Sequence, residues 1–532
     1  MIKTDNVQKI CYNFFIMKKK LLLTALSMGM LAGSTYAETC TKNDLRTLYL
    51  NNQAIIYEIN MRTFNANDKN GNGIVEVEKG ETVGNFLNAI KRLDELKNYG
   101  INAIHVMPIN PTGKKSAIGT VGSVYSMTEI AGIDPNLVDK KSKLSDKEQL
   151  KKFVSECHKR GIRVIVDIPA CGSLDMSEKY PDMFIKDKDG KAMIPVDWTD
   201  VRLFKTVNED GTLNQALLDE HKKYVDMLLN AGVDGIRADV APIKPYEFWK
   251  ELISYTRAKD PEFMFVAETA EAWAPPEVPS PTANYVKLLE AGFDGYYGNL
   301  LDFVNFKNVD DFKFVFKHIN ELAQKGETKA ILGCFDTHDL ESAYTISPAY
   351  AESIMYMNAT LPVNPYYLDG FQSGDKYQYP YNGKKAEVTY TDSNIYYSHK
   401  NKIDIFNFSR KPGGDLPIMK KKLKQTIEFR KQLGDLATKG DFEFLDVKQL
   451  NQSSEKIYAY ERTLDKKGVL VIVNGNHHKA MAVVNVGKKV KPQEIITKNS
   501  HPDLSREGHV IIELRPDEAF VMTYTFDKKC NK

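Results

Sequence analysis

The segment GVDGIRADV, Gly232 to Val240, carries an arginine and a carboxylate, Arg237 and Asp239, near the end of an otherwise apolar run. Side chains two apart on a strand share a face. Charge in such a run is costly unless it is paired or put to use. Comparable apolar runs end in Asp167 (IRVIVDIP), in Glu268 (FMFVAET) and in His338 and Asp339 (AILGCFDTHD). Several carboxylates converging with an arginine and a histidine suit cleavage of a glycosidic bond. That reaction needs one ionised carboxylate as nucleophile and one protonated carboxyl to assist the leaving oxygen. Arg237 is expected to lower the pKa of Asp239 and keep it charged. Glu268, closing an apolar strand, is the candidate for a raised pKa and proton donation. Taken alone, Arg237 and Asp239 read equally as a structural ion pair; Glu268 and Asp339 in the same setting argue for chemistry.

The elements that must position these groups follow from patterning. Strand-like runs at 54–59, 101–108, 162–169, 233–239, 263–269, 293–298 and 330–336, with a weaker eighth at 359–368, alternate with amphipathic helical stretches. Two of those stretches run up to Gly100 and Gly161, where a left-handed cap residue is expected. Eight such units predict an α/β fold, a closed (β/α)8 TIM barrel over 51–436, whose catalytic groups come from the C-terminal strand ends. A long polar connection after the third strand, 171–212, reads as an inserted subdomain, because long loops inside compact domains are usually functional. From about Ala437 to residue 528 the pattern changes to short strands and turns, an all-β sandwich domain.

With 72 basic and 70 acidic side chains and a formal net charge of +2, the chain gives no electrostatic case for nucleic acid. Residues 1–37 read as leader and signal peptide: Lys18 to Lys20, the run LLLTALSMGMLAG, and small residues ending at Ala37. That run is shorter than the ~20 residues of a membrane span. A periplasmic or secreted protein with no membrane attachment after cleavage is the expectation. Cys40 and Cys530 could bridge in that compartment, or remain free thiols.

The motifs carry a resemblance. GVDGIRADV, FVAET and CFDTHD resemble the nucleophile, acid/base and His-Asp motifs of the α-amylase family, glycoside hydrolase family 13. GINAIHVMPINP, GSVYS and LPVNPYYLDGFQSGD resemble its second strand, tyrosine loop and eighth strand, and the similarity runs in order from about Asn51 to Asp441. It implies Asp239 as nucleophile, Glu268 as general acid/base and Asp339 as transition-state stabiliser. Arg237, His338, Tyr125 and Asp167 would bind or orient substrate, with Tyr125 stacked beneath the sugar. Retention with carboxyls roughly 5 Å apart would follow. Where the family has Asp-x-x-x-Asn-His, this chain has Asp167 followed by Cys171 and Gly172, which puts the usual calcium site in doubt. This loop, with GSVYS and RADVAPIKPYEFW, also resembles the branch that transfers maltosyl units. α-1,4-Glucans or maltooligosaccharides are the implied substrates, by hydrolysis or transfer, and a catalytically silent sugar-binding protein is the contrasting reading.

The chemistry requires no cofactor. A structural calcium ion could be held by DKNGNGIVE through Asp68, Asn70, Asn72, Ile74 and Glu76, since hard cations take several oxygens on a flexible loop. An ordinary Asn-Gly turn explains the same residues.

Overall fold

A computed structural model describes residues 43–67, 69, 79–117, 122–196, 198–340, 342–375, 416–450, 456–497, 499–505 and 508–527. The chain divides into residues 1–42 and residues 43–532. The signal-peptide region, Cys40, Cys530 and the five proposed calcium ligands all lie outside the described residues.

Eight parallel strands close into a barrel. They are β1 (Ile56–Ile59), β2 (Ala103–Val106), β3 (Arg163–Ile168), β6 (Gly235–Ala238), β7 (Met264–Ala267), β8 (Gly295–Tyr296), β9 (Ala330–Gly333) and β10 (Asn364–Leu368), and β1 pairs with both β2 and β10. β4 (Gly172–Ser173) and β5 (Val201–Arg202) form an antiparallel pair in the insertion after β3, with a helix at Leu174–Lys179.

Period-two alternation decides what fills the barrel. Ile56, Ala103, Ile165, Met264 and Leu332 form an apolar cluster with the short helix Leu45–Leu50. Their neighbours Tyr57, Ile104, Val164 and Val166 pack outward against the helices. Two residues further along the inward row stand Glu58, His105, Asp167 and, after Gly235, Arg237, while Glu268 stands two past the inward Val266. A polar layer at the C-terminal end of the barrel is thus the continuation of its apolar core.

The helices are stopped by local chemistry. In the helix Gln215–Ala231 the Asn214 side chain accepts the Leu217 N–H, and Gly232 caps the other end at φ 88°, a geometry that costs glycine little. Gly100 caps Leu93–Tyr99 in the same way. The helix Asp146–His158 instead ends at Lys159, short of Gly161, although Gly161 is still left-handed at 73°.

Beyond the helix Pro417–Leu433, β11 (Asp441–Phe444), β13 (Ile457–Leu464), β14 (Lys467–Asn474), β16 (Val490–Ile495) and β19 (Ala519–Phe526) form one antiparallel sheet. β12 (Asp446–Gln449), β15 (Ala480–Asn485), β17 (Asp503–Leu504) and β18 (His509–Leu514) form another. Ile457, Ala459, Leu470 and Ile472 meet Ala482, Val484, Val510 and Ile512 between the two sheets. The opposite face of the first sheet, through Tyr458, Tyr460, Val469 and Val471, joins the main core. Buried on both faces, β13 and β14 read as near-continuous apolar runs.

Candidate active site

The register of β3 against β6 places Asp167 opposite Arg237. Arg237, 1% exposed, is the hub. Its Nη1 donates to Asp167 Oδ2 at 2.9 Å and to Asp239 Oδ1 at 3.1 Å, and its Nε donates to the Tyr297 hydroxyl at 2.9 Å. Its Nη2 lies 2.9 Å from Glu268 Oε1, an ion pair without hydrogen-bond geometry. One guanidinium therefore touches carboxyls from three neighbouring strands.

Asp239 and Glu268 differ in what else they receive. Asp239 Oδ2 accepts the Ala170 N–H at 2.8 Å. Glu268 Oε2 accepts the Val240 N–H at 2.7 Å. Val240, which donates that N–H, stands in the left-handed region at φ 34° and ψ 53°, unusual for a β-branched residue. Strain of this kind persists where surrounding structure enforces it. Their side chains are 14% and 11% exposed, so both reach the mouth.

Burial raises the pKa of both carboxyls, and repulsion between them raises Asp239 further. Arg237 pulls in the opposite direction and does not win, so the expectation that it holds Asp239 low is corrected by desolvation. Burial and the repulsion on Asp239 thus favour keeping one of these two carboxyls protonated. Asp239 takes true hydrogen bonds from both Arg237 and Ala170, which favours leaving the proton on Glu268.

Asp167 is fully buried. Besides Arg237 it bonds the Tyr125 hydroxyl at 2.8 Å and His105 Nε2. It has no open side for a sugar and acts instead by fixing Arg237 and Tyr125. The Tyr125 ring stacks on His338 at 5.5 Å and 13°, and its hydroxyl lies 2.9 Å from His338 Nε2. His338 Nδ1 bonds Glu58, and its Nε2 is 3.3 Å from Asp339 Oδ2. Burial opposes charge on this ring, but Asp339 and Glu58 outweigh it and push its pKa up to about 9, so it is an imidazolium at neutral pH. Asp339, 43% exposed, faces the opening.

Sequence reasoning missed Glu58, His105, Tyr297 and Lys244. Glu58 and His105 were within reach, since each follows the inward alternation of its strand. Lys244 lies in a turn, where no periodicity marks it. Position 172 explains the departure at the third strand. A Cβ added to Gly172 would meet the Phe184 ring at 2.7 Å, so a histidine there requires that ring to shift. Cys171 is buried, its thiol pushed up to about 12, and offers no hard oxygen for calcium. The donor set does not fit that ion there. Among the described residues no group of three or more His, Cys, Asp or Glu could hold a metal.

Asp336, three residues before Asp339, is buried with Oδ1 lacking a hydrogen bond among the described residues. Burial pushes it up to about 7, against an unfolded value of ~3.9. A carboxyl raised on folding contributes stability that is present below the unfolded value and lost as pH rises through the folded one. Asp336→Asn is therefore expected to melt like the parent near pH 4 and to gain about 1–3 kcal/mol at pH 8. Thermal melts across that range check it; equal curves at pH 8 refute it.

A groove of about 320 Å³ lies elsewhere, lined by Lys147, Lys151, Lys223 and Asp226 of the helices Asp146–His158 and Gln215–Ala231. It holds none of the strand-end groups.

No family model matches the chain. Curated relatives do. A cyclomaltodextrinase of a Bacillus species is 25% identical over 279 residues, 48% of this chain and 45% of the relative. Alpha-amylase 2 of Dictyoglomus thermophilum is 28% identical over 278 residues, 49% of this chain and 42% of the relative. The matches thus span less than half the length of these two relatives. Among solved structures, a noncanonic maltogenic alpha-amylase from Thermotoga neapolitana superposes with a TM-score of 0.65 at 19% identity, covering 90% of this chain and 100% of that one. That likeness shows the fold.

Proposed function

Since the chain belongs to the α-amylase family, glycoside hydrolase family 13, we propose that it is a retaining α-glycosidase acting on α-1,4-glucans or maltooligosaccharides. The observation that carries the reading is the single guanidinium of Arg237 between Asp239 and Glu268, at 3.1 and 2.9 Å. Retention needs two carboxyls close enough to reach one anomeric carbon from its two sides.

In the first step an Asp239 oxygen attacks the anomeric carbon and the glycosidic bond breaks. The proton of Glu268 passes to the departing oxygen. In the second step water attacks the same carbon, Glu268 takes its proton, and the ester to Asp239 breaks. Glu268 must alternate between acid and base, and the raised pKa that burial gives it suits both roles. Arg237 keeps charge density on Asp239 as the ester leaves. Asp339 faces the sugar at the mouth, against developing positive charge, while the buried imidazolium of His338, held by Glu58, orients Asp339 and Tyr125 from behind. Tyr125 offers its ring face to the sugar. Asp167 works from behind, through Arg237.

Export to periplasm or medium is part of the proposal, supported by the basic, apolar and small-residue order of 18–37. A structural calcium ion at Asp68 to Glu76 is supported only by those residue types. Among the described residues no helix is long and apolar enough to cross a membrane.

The test is sugar release from maltoheptaose by the wild type and by Asp239→Asn. Release by the wild type alone supports the proposal. Equal, near-zero release from both favours a silent sugar-binding protein, and products longer than maltoheptaose mark transfer.

A further inference from the structure

Lys244 is fully buried, five residues after the proposed nucleophile. Its ammonium donates to the Ala170 carbonyl at 2.8 Å and lies 3.5 Å from the Pro169 carbonyl. Among the described residues no carboxylate pairs with it. The rings of Phe204 from the insertion and Trp249 from the helix Tyr246–Arg257 flank it at 5.7 and 5.6 Å. An isolated ammonium in such a place is expensive unless it is used.

What it grips is informative. The peptide joining Pro169 to Ala170 presents its carbonyl to Lys244 and its N–H to Asp239 Oδ2 at 2.8 Å. A positive charge on the carbonyl end of a peptide polarises its N–H, strengthening the bond to the carboxylate at the other end. The Ala170 carbonyl, held at the shorter distance, locks the loop on its far side.

We propose that Lys244 is a positioning residue for Asp239: its buried ammonium clamps the 169–171 loop, holds the Ala170 N–H on the nucleophile, and supplies a second fixed positive charge beside Arg237. The loop that joins the third barrel strand to the insertion is then braced by an internal cation, where the neighbouring Cys171 and Gly172 give no oxygen donors for an external one. This inference rests on the assignment of Asp239 as the nucleophile.

The ionisable groups that face Lys244 are Asp239 from the end of β6, Cys171 from the loop after β3, and His221 from the helix Gln215–Ala231. His221 is held neutral by burial, its pKa pushed down to about 3, and Cys171 stays a thiol. Asp239 is thus the ionised group that feels a change at Lys244. Burial lowers the ammonium itself to about 8, so it is charged at neutral pH and discharges in mild alkali.

Lys244→Met removes both charge and donor, whereas Lys244→Gln keeps an amide donor for the Ala170 carbonyl and removes only the charge. It also serves where the methionine variant fails to fold. The measurement is kcat/KM for maltoheptaose against pH, alongside a thermal melt. Loss of the positive charge makes ionised Asp239 less favourable, so the acidic limb is expected to move up by about half a pH unit or more in both variants. On the plateau kcat should fall roughly tenfold for Lys244→Met, with KM nearly unchanged. An acidic limb that stays in place, whatever happens to the melting temperature, overturns the proposal, because a purely structural lysine would change only the amount of folded protein. A silent wild type would instead refute the glycosidase reading, and this inference with it.

Discussion

Asp239→Asn is expected to lose on the order of 10⁴-fold or more of sugar release while folding normally. Asparagine matches aspartate in shape, and its amide oxygen still accepts a hydrogen bond from Arg237 or Ala170. What disappears is the oxygen charge that forms the ester in the proposed mechanism. The parent carboxyl is pushed up to about 7 by burial and by Glu268, so it costs stability at neutral pH rather than adding it. The variant should therefore melt no lower than the parent at pH 7.5. Glu268→Gln separates the two roles. On maltooligosaccharides it should lose ~10²–10⁴-fold, the usual contribution of a positioned acid. On an α-glycosyl fluoride, whose leaving group needs little protonation, its first step should stay close to wild type. Asp239→Asn should be equally inactive on both substrates. The pre-steady-state burst of fluoride, set against cleavage of the glucan, checks this pattern, and a Glu268→Gln variant whose burst is as impaired as its glucan cleavage would refute the assignment.

Arg237→Leu is the second large effect, and it falls on the fold. Leucine leaves Asp167 fully buried and facing Asp239 and Glu268 without their shared cation. Breaking one side of a buried ionic cluster typically costs about 3–5 kcal/mol. The remaining carboxyls can escape part of that cost by taking up protons. The loss should accordingly be greater at pH 8 than at pH 5, where protonation neutralises the cluster. Asp167→Asn added to Arg237→Leu should recover part of the stability and none of the activity. Denaturant melts of the single and double variants at the two pH values test this, and a double variant no more stable than the single one would contradict the shared-cation account.

The strand ends that carry chemistry were legible because charge at the close of an apolar run is rare and costly. Asp167, Arg237, Asp239, Glu268 and His338 all stand out on that ground. Glu58 and His105 obey the same rule and were passed over because neither lies in the motifs that drew attention to the other strand ends. Counting by two from Ile56 and Ala103 would have found both. Barrel order and the sandwich were readable from periodicity, though β8 shrinks to Gly295–Tyr296, since pairing rather than apolar length sets the strand. The balance of forces on Asp239 was not readable. An adjacent arginine favours the anion, but how far burial opposes it depends on the closed barrel. Position 172 was equally opaque, because the crowding there by the Phe184 ring and Met176 appears only in three dimensions. Lys244 lay beyond sequence patterns for a similar reason, as its partners are backbone carbonyls.

The most direct test is the anomeric configuration of the first product, followed by proton NMR during early turnover of maltoheptaose before mutarotation. Attack by Asp239 with Glu268 as acid, followed by water on the face that the leaving group vacated, gives the α-anomer first, with the β-anomer growing in later. A β-anomer appearing first would mean a single displacement, and two carboxyls bound to one guanidinium could not then be nucleophile and acid.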